Sequence, residues 1–558
     1  MEKLIIKNGL VFDPINNISG EVNDILIENG TIVEKFSNNK DIKEIDASGK
    51  TVIPSALDIH THIASHQVNW ARLLGRSNKE FQEIWKGLTL KNIARDYIKN
   101  GYTFILEANV FPSLSKQSIF DFKHLPVLDK AMLLNGSNLW AIELEYQRGK
   151  IEDMSVFLSD LLTLTKGFGF KVYNPFESES WNFKVLRDDL TENGRLYNFS
   201  ALDVYENLTK ANEHLGLPHS IHAHIEGYET PQGEDNLYVI LDQIKSLNLT
   251  ANSNIVSKFK RSQIFHLAHA SAYNVNGDNE RLIKFMNGNN NFDLDLGFIG
   301  FNKISPLITS DRRLINTLLD ANEAETTFKL IRSAVEFEGD MFAALRNFRK
   351  DKKSDCILWA NSLDLALSIK DKWQMQVSVN FPNYAHINDV PKIATWLTSK
   401  KARDEFMIDM NQDFLNNNSL QNHDDSLSFN DYVIMSRASP AKSLGLGDIK
   451  GNLGVGSNAD INILNINLKE TDISQEPEKL KNSLKNIEYV LKAGKIVKKN
   501  DKIDLISQGK IFWTEGSDIK EDKAFIMKKK REFYQKYYSI FYDSLKITIE
   551  NKYLTKIE

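Results

Sequence analysis

The sequence predicts an α/β protein: a (β/α)8 barrel inserted into a small β-sandwich domain that is built from both ends of the chain. Eight short apolar segments alternate with helical patterns through the middle of the chain, which is typical of a barrel of parallel strands. Short alternating runs with Asn-Gly pairs fill residues 1–50, and similar runs near 450–500 also indicate β-structure. Residues 511–558 are charged and carry aromatic residues at roughly helical spacing, which indicates a helical C-terminal extension.

The predicted barrel strands divide the chain into four parts. In chain order, these strands are 52–60, 102–108, 139–145, 168–173, 219–225, 263–269, 294–300 and 375–380. We therefore expect 1–51 and 431–510 to form the two parts of the sandwich domain, 52–430 the barrel and 511–558 the extension. A barrel of this kind needs about 250 residues plus insertions, so the central segment is long enough.

Composition excludes several classes of protein. The chain has 558 residues and a net charge of −5, which argues against non-specific binding of nucleic acid. Its single cysteine, Cys356, is too few for a disulfide framework, a thiolate zinc site or an iron–sulfur cluster within this chain. The sequence has neither a signal-peptide core nor a long uninterrupted apolar run, so we expect a cytoplasmic protein without a membrane span.

A histidine pair ends the first predicted barrel strand. Residues 52–62 read VIPSALDIHTH, so His60 and His62 stand one residue apart. Side chains alternate along a strand, and positions i and i+2 therefore point to the same face. Two imidazoles at the end of a buried strand can grip a metal ion together, which predicts a metal-dependent hydrolase.

Most of the other histidines also cluster at the ends of predicted strands. The clustered histidines are His60, His62 and His66, then His219, His222 and His224, and finally His266 and His269. Strand alternation places His222 and His224 on one face and His219 on the other. His266 and His269 have opposite parity, so we expect only one of them to face the barrel centre.

Lys171 lies inside an apolar predicted strand, in the segment KGFGFKVYNP. Burying a free ammonium is costly, so a buried lysine loses its proton readily. The neutral amine can react with CO2 to form a carbamate, an anionic ligand whose two oxygens can bridge two divalent metals. A lysine that ends its strand and reaches water is the alternative. The order His-x-His, Lys, His, His along strands one, four, five and six favours the metal ligand.

The whole chain resembles the A component of formylmethanofuran dehydrogenase and, equally, the A component of the bacterial formyltransferase/hydrolase complex, both in the amidohydrolase superfamily. The matching stretches include IDASGKTVIPSALDIHTHIASHQVNWARLL, GFGFKVYNP, LGLPHSIHAHI, FHLAHASAY, FPNYAHINDVPKIATWLTSK and LGLGDIKGNLGVGSNADINIL. The VNxAR element after the first histidine pair and the LGLPHxIHxH element are more specific than His-x-His alone.

The resemblance implies a centre of two divalent metal ions, zinc by analogy, in a metallo-hydrolase barrel. Its implied ligands are His60, His62, Lys171 as N6-carboxylysine, His224 and His269. His222 and His266 would act beside these ligands, fixing a tautomer or contacting substrate, and Asn69 and Arg72 of the VNxAR element would bind the formyl carrier.

The implied reaction is hydrolysis of an N-formyl amide. A metal-bridging hydroxide would attack the formyl carbon, releasing formate and the free amine of a methanofuran-type carrier. The implied partners are the other subunits of a formyltransferase/hydrolase complex, working in one-carbon metabolism of the methylotrophic type. With one cysteine, this chain would supply only the hydrolytic step, and any redox centre would belong to another subunit.

One position departs from the family at the place that matters most for catalysis. The family motif TTDHPN is SVNFPN in this chain, so Asn380 replaces the strand-eight aspartate. Asparagine offers a neutral amide oxygen but cannot act as a base, and losing acid–base catalysis typically costs about 10²–10⁴ in rate. Glu177, Glu226 and His66 are the candidate replacements for the missing base.

Two other functions therefore remain open. The first is a catalytically impaired subunit that holds the complex together or binds the carrier, and Asn380 is the feature that motivates it. The second is an amidohydrolase of the hydantoinase or dihydroorotase type, which shares the His-x-His, Lys, His, His order. The VNxAR and LGLPHxIHxH elements count against this second alternative.

Overall fold

The structure is a computed structural model, and it describes most of the chain. The described residues are 2–65, 68–69, 72, 82, 87–142, 145–146, 150–177, 179–180, 186–187, 189–195, 198–253, 258, 260–301, 305–320, 329–332, 340–517 and 522–558. His66, one of the three candidate replacement bases, lies outside these residues.

The secondary structure alternates strands and helices through the middle of the chain. The strands are β1 (Lys3–Asp13), β2 (Ile18–Glu28), β3 (Thr31–Val33), β4 (Ile42–Asp46), β5 (Thr51–Pro54), β6 (Ala56–Thr61), β7 (Tyr102–Val110), β8 (Asp129–Asn135), β9 (Gly169–Tyr173), β10 (Ile221–His224), β11 (Phe265–Leu267), β12 (Phe292–Asp295), β13 (Ser305–Thr309), β14 (Lys329–Arg332), β15 (Asp340–Arg346), β16 (Met375–Gln376), β17 (Ile461–Leu464), β18 (Tyr489–Lys492), β19 (Lys495–Lys499), β20 (Lys502–Ile503), β21 (Ile511–Trp513) and β22 (Leu554–Lys556). The α-helices are α1 (Leu90–Lys99), α2 (Ser115–His124), α3 (Ile151–Thr165), α4 (Ala201–Leu215), α5 (Pro231–Ser246), α6 (Glu280–Gly288), α7 (Arg312–Asp320), α8 (Lys353–Ser368), α9 (Val390–Thr398), α10 (Lys400–Met407), α11 (Gln412–Asn416), α12 (Phe429–Val433), α13 (Ser439–Ser443), α14 (Pro477–Lys485) and α15 (Lys523–Tyr537).

Eight parallel strands form a nearly closed barrel, as the sequence predicts. Their order is β6, β7, β8, β9, β10, β11, β12 and β16. A parallel bridge between Thr61 and Phe381 joins the first strand to the segment after the last one. There the backbone N–H of His62 donates to the carbonyl of Phe381 at 2.7 Å. Closure removes the free sheet edges and brings the carboxyl ends of all eight strands to one rim.

The third predicted strand, 139–145, is wrong. The third barrel strand is β8, a fully buried run of seven residues, whereas Trp140–Ile142 form a single turn of 3₁₀ helix. Both segments are apolar, and apolar periodicity alone does not separate a buried strand from another buried segment.

The second sheet joins the two ends of the chain, which confirms that part of the predicted fold. Its strand order is β20, β19, β18, β17, β5, β1, β2 and β3, with β4 paired to β1. Strand β17 runs antiparallel to β5 and places Ile463 opposite Val52. Both residues are fully buried in the aliphatic core of this sheet. The domain limits at 51, 430 and 510 stay predictions.

The C-terminal extension is only partly helical. Strand β21 pairs with the beginning of β8, and β22 pairs with β21, so the end of the chain adds two short strands to the barrel sheet. Helix α15 packs against α3 on the outside of the barrel. Among the described residues, no helix is long and apolar enough to cross a lipid bilayer.

A buried ion network fastens the second sheet to the barrel. Lys450 and Lys492 each place Nζ 2.6 Å from Oδ2 of Asp129, the first residue of β8. The same two amines lie 2.6 and 3.2 Å from Asp460. Paired in this way, four buried charges stabilise one another, whereas loss of one partner would leave an uncompensated charge.

Candidate metal centre

Strand register aligns four polar residues at one level of the barrel. Lys171, His222, His266 and Asp293 are direct partners across β9, β10, β11 and β12. Paired residues of adjacent strands point to the same side of a sheet. All four are buried, and this side is the barrel interior. Lys171 reaches from this level into a cavity whose lining also includes the other four candidate metal ligands.

The five candidate ligands line one cavity of the barrel. Lys171 Nζ lies 3.3 Å from His60 Nε2, and His224 Nδ1 lies 2.9 Å from His269 Nε2. The His62 ring stands 5.4 Å from the His60 ring, centre to centre. Two nitrogens bound tetrahedrally to one zinc ion lie about 3.4 Å apart, so these spacings suit shared metal ions.

The protonation of these groups also fits metal binding. Burial lowers the pKa of His60, His224 and His269 well below the ordinary value for histidine, and Lys171 lowers the pKa of His60 and His224 further. Neutral imidazole is the form that binds metals. His269 Nδ1 is buried and has no hydrogen-bond partner among the described residues. The donor set therefore fits a divalent metal centre.

Lys171 has the chemistry that carbamate formation requires. Burial lowers its pKa to about 7, and the carboxylates of Asp295 and Glu107 oppose that shift only in part. A large fraction of the side chain is then an uncharged amine at neutral pH. This amine can attack CO2, which an ammonium cannot.

Helix α4 and the segment after it position the middle histidines. The helix begins with a capping box between Ser200 and Asp203 and ends at Gly216, whose φ is 60°. A left-handed residue at this place ends a helix without strain only when it is glycine or asparagine. The chain then turns through Pro218 into β10, which carries His222 and His224 inward.

The prediction that only one of His266 and His269 faces the barrel centre is wrong. Strand β11 ends at Leu267, so strict alternation does not extend to His269. His269 has a φ of 36°, a left-handed turn that brings its ring back over the barrel to meet His224. Both histidines therefore face the interior, at different depths.

His222 and His266 lie below the cavity rather than in its wall. His222 Nε2 is 3.3 Å from Nδ1 of His60. His266 sits between two carboxylates, with Nδ1 3.0 Å from Asp293 and Nε2 3.2 Å from Asp295. Burial alone would lower the pKa of His266, but these two carboxylates outweigh it and raise the pKa to about 9. His266 is therefore an imidazolium with both ring protons donated.

The structure adds carboxylates that the sequence analysis missed. Asp293 and Asp295 end β12 in the pattern Asp-x-Asp, the same i and i+2 signal that revealed His60 and His62. Asp295 Oδ2 lies 3.0 Å from His60 Nδ1, and Ser378 donates to its other oxygen. Glu107, at the end of β7, accepts the N–H groups of residues 63, 64 and 65 at 2.6, 2.6 and 3.1 Å.

Two of these acidic groups stand directly behind ligand histidines. Glu107 Oε1 is 3.4 Å from His62 Nδ1, and Asp311 Oδ2 is 3.7 Å from His224 Nε2. Burial raises the pKa of Asp311 to about 6, while the backbone N–H of Gly227 opposes that rise. Carboxylates in this place orient metal-binding histidines and increase their basicity.

Asn380 lies in the cavity wall, where the resemblance placed it. Its φ is 41°, a left-handed conformation that asparagine and aspartate tolerate well. Asn383 donates its backbone N–H to the Asn380 carbonyl at 2.6 Å, and its Oδ1 accepts the N–H of Ile308 at 2.8 Å. Neither Glu177 nor Glu226 is among the described residues that line the cavity. Burial nevertheless raises the pKa of Glu226 to about 8.

The cavity itself is small and polar. Its lining residues are His60, His62, Asn109, Lys171, Tyr173, His224, Tyr228, His269, Ile308, Thr309, Asn380 and Asn383. The space enclosed among them is about 20 Å³, room for one or two water-sized groups. Ile308 is the one aliphatic residue in this described lining.

Comparison with known proteins agrees with this geometry. Residues 359–498 match the model of the Amidohydrolase family. The chain is 28% identical to protein FwdA of Methanocaldococcus jannaschii over 98% of its own length and 97% of that protein. It is 24% identical to the A component of the formyltransferase/hydrolase complex Fhc of Methylorubrum extorquens, over 82% of this chain and 83% of that component. The chain is therefore similar to these proteins over most of its length, and its residues 359–498 resemble the Amidohydrolase family.

The fold also matches a solved structure over the full length of the chain. That structure is the crystal structure of the formyltransferase/hydrolase complex FhcABCD from Methylorubrum extorquens with methylofuran. The TM-score is 0.85 at 22% sequence identity, and the match covers 100% of both chains. The barrel, the second sheet and the extension therefore follow one shared architecture.

Asn69 and Arg72 of the VNxAR element hydrogen-bond within the protein. Arg72 donates to Asn69 Oδ1 at 2.7 Å and to the carbonyls of Ile63 and Leu88 at 2.6 and 2.7 Å. Asn69 donates to Asp121 at 2.5 Å. Neither residue is among the described cavity-lining residues, and their contacts hold the segment that follows His62. Binding of a carrier by these residues stays a prediction.

The stability of the metal-free protein should rise with pH between about 7 and about 10 because of Lys171. The folded pKa is about 7, against an unfolded value near 10.5, so in this window the unfolded chain binds one proton more. Stability then increases by up to about 1.4 kcal/mol per pH unit. Urea unfolding in CO2-free buffer with a chelator measures the rise, and Lys171→Met should lack this part of it.

The matched control is Lys91→Met, at an exposed position of α1. It should keep the pH dependence of the wild type. An equally steep rise in Lys171→Met would contradict the pKa assigned to Lys171.

Proposed function

We propose that this chain is the hydrolytic subunit of a formyltransferase/hydrolase-type complex. Its reaction is hydrolysis of the N-formyl amide of a methanofuran- or methylofuran-type carrier, which yields formate and the free amine in one-carbon metabolism. The observation that carries the proposal is the convergence of His60, His62, Lys171, His224 and His269 on one cavity. Similarity to the A component of the formyltransferase/hydrolase complex Fhc, whose crystal structure holds methylofuran, supports the choice of substrate class.

These five residues would hold two divalent metal ions, zinc by preference, with Lys171 as N6-carboxylysine. When bound, the metals would polarise the substrate carbonyl and acidify a water molecule. Burial in the barrel favours the neutral form of His60, His224 and His269. Glu107 lies 3.4 Å from His62 and Asp311 lies 3.7 Å from His224, so each places an acidic group beside one of these rings.

The neutral side chains of the cavity suit an amide substrate. Asn109, Asn380 and Asn383 each present an amide, and Tyr228 and Thr309 share a hydroxyl hydrogen bond of 3.1 Å at the same wall. Amide groups can accept a substrate N–H and donate to a carbonyl without changing protonation state. They orient a formyl amide but cannot carry its proton.

The size of the cavity favours a formyl group over larger acyl groups. Ile308 is 7% exposed and closes the wall between Thr309 and the turn that contains Asn383. A formyl group presents only hydrogen beyond its carbonyl carbon, whereas an acetyl group adds a methyl that would have to fit beside Ile308 in the cavity wall. We assign Ile308 as the residue that limits acyl size.

Asn380 favours a second candidate function, a catalytically weak subunit that binds the carrier within the complex. Among the described cavity-lining residues none is a carboxylate, so the position of the family's base has no acidic substitute in the wall. Acid–base catalysis typically contributes about 10²–10⁴ in rate, and its loss would leave binding intact. The two candidates share the metal centre and differ in turnover.

The complex containing this chain should bind about two zinc ions per copy and release formate from a formylated furfurylamine-type substrate. Metal analysis by mass spectrometry and a coupled formate assay measure the two quantities. Metal without turnover would favour the weak-subunit function, and absence of both would refute the proposal. Turnover of free hydantoin or dihydroorotate instead would assign the chain to cyclic amides.

Asn380→Asp should raise formyl-amide hydrolysis at least tenfold, because the variant restores a proton acceptor worth about 10²–10⁴ in rate. The left-handed backbone of residue 380 accepts aspartate as readily as asparagine. Asn383→Asp is the matched control, since it adds the same charge to the same cavity and should not raise the rate. If Asn380→Asp leaves kcat unchanged, Asn380 does not limit proton transfer.

Ile308→Ala should shift selectivity from formyl toward acetyl amides by about tenfold or more in kcat/KM, since one methylene in a pocket is worth about 10–200-fold. Assays with matched formyl and acetyl amides of one amine measure the ratio. Ile308→Leu conserves side-chain volume and should keep the wild-type preference. Equal ratios in wild type and Ile308→Ala would remove Ile308 as the limit on acyl size.

A further inference from the structure

Three imidazoles form a continuous line beneath the cavity. His219 Nε2 lies 3.2 Å from His222 Nδ1, and His222 Nε2 lies 3.3 Å from His60 Nδ1. All three rings are fully buried. Within each contact one nitrogen must donate and the other must accept, so the three tautomers are coupled.

Both ends of this line face oxygen atoms that only accept hydrogen bonds. His219 Nδ1 is 2.9 Å from the carbonyl oxygen of Ser443. His60 Nδ1 is 3.0 Å from Oδ2 of Asp295, a carboxylate that also accepts a hydrogen bond from His266. Neither oxygen can donate, so Nδ1 of His219 and Nδ1 of His60 each carry a hydrogen.

One assignment of protons satisfies every contact when the rings are neutral. With its hydrogen on Nδ1, His219 offers a lone pair at Nε2, and His222 must donate to it from Nδ1. The lone pair of His222 is then at Nε2, where it accepts from His60 Nδ1 alongside Asp295. The reverse assignment would set lone pairs against oxygen at both ends.

We propose that His219 and His222 are positioning residues that link the Ser443 carbonyl to His60 and, together with Asp295, hold its ring and its tautomer. His60 then presents the lone pair of Nε2 toward Lys171, at the place where a metal ion would bind. Ligand histidines need such a partner on the second nitrogen, and losing it typically costs 10–100-fold in metal affinity. This inference rests on the metal centre of the proposed function.

A third metal ion is the competing explanation for the deeper histidines. His219, His222 and His266 do place possible ligand atoms within 4.8 Å of one another. However, both nitrogens of His266 point at carboxylate oxygens, 3.0 Å from Asp293 and 3.2 Å from Asp295. A ring that donates both protons has no lone pair for a metal, so the hydrogen-bonded line fits these atoms better.

Ser443 is well placed to anchor the line. It is the last residue of α13, and its hydroxyl donates to Oδ2 of Asp293 at 2.7 Å. Gln376 donates to the same oxygen at 3.1 Å. The carbonyl that orients His219 and the carboxylate that orients His266 are therefore held by one residue.

The tautomers can be read directly in the metal-free wild-type protein labelled with 15N-histidine. Two-bond 1H–15N spectra should show His219, His222 and His60 all protonated on Nδ1, with signals assigned by their loss in His219→Gln, His222→Gln and His60→Gln. A proton on Nε2 of either His219 or His222 would overturn the proposal. The spectra require neither bound metal nor turnover. They therefore test the proposed tautomers even if the proposed function is wrong.

Two variants in the intact complex, His222→Leu and His222→Gln, test the effect of the histidine line on the metal centre. His222→Leu should weaken one of the two zinc ions about 10–100-fold in chelator competition, whereas the amide of His222→Gln accepts and donates in similar places and should retain most of the affinity. His214→Leu, at an exposed position of α4, is the control. Wild-type affinity in a folded His222→Leu, or a third ion bound beside His219, would contradict the proposal. If His222→Leu does not fold, the tautomer spectra still decide it.

Discussion

This structure depends on one constraint, the burial of lysine and histidine side-chain nitrogens away from water. The barrel interior holds a lysine and six histidines that are almost completely removed from water. Each of these groups is expensive to bury unless a partner satisfies it. The register of β9 to β12 provides part of the solution by placing Lys171, His222, His266 and Asp293 side by side. Carboxylates, a main-chain carbonyl and neighbouring imidazoles satisfy the lower rings, and the upper nitrogens converge on a shared space. Metal binding is then the natural way to satisfy the upper nitrogens.

Much of this arrangement was predictable from sequence because strand ends carry a simple signal. His60 with His62 and His222 with His224 follow the two-residue period, and Lys171 breaks an apolar run. The same rule failed for His269, which lies beyond the end of its strand in a left-handed turn. The significance of Asp293 and Asp295 was also missed. Carboxylates are common in any sequence, and these two indicate a site only when the fold places them beside His266. The strand at 129–135 was missed because two apolar segments compete locally, and pairing between distant strands decides between them.

The cavity wall presents amides at the place where the resemblance implies an acid. Asn380 is held in a left-handed turn that is linked through Asn383 to Ile308, so the substitution is integrated into the wall. The five candidate metal ligands line the same cavity. Under the proposed function, a metal centre beside a neutral wall would separate two properties, affinity for the formyl carrier and speed of its hydrolysis. Within a larger assembly, the first can be useful without the second.

The pairing of both chain ends has a consequence for the order of events during synthesis. Ser55 hydrogen-bonds to Asn462, 407 residues away, and the Ser443 carbonyl beneath His219 comes from the same late segment. At translation rates of 5–20 residues per second, the first strands would wait roughly 20 to 80 s for these partners. The histidines of the barrel would be complete in the nascent chain well before their lowest hydrogen bond exists. A growing chain therefore carries the candidate metal ligands before the carbonyl that orients the line beneath them has been made.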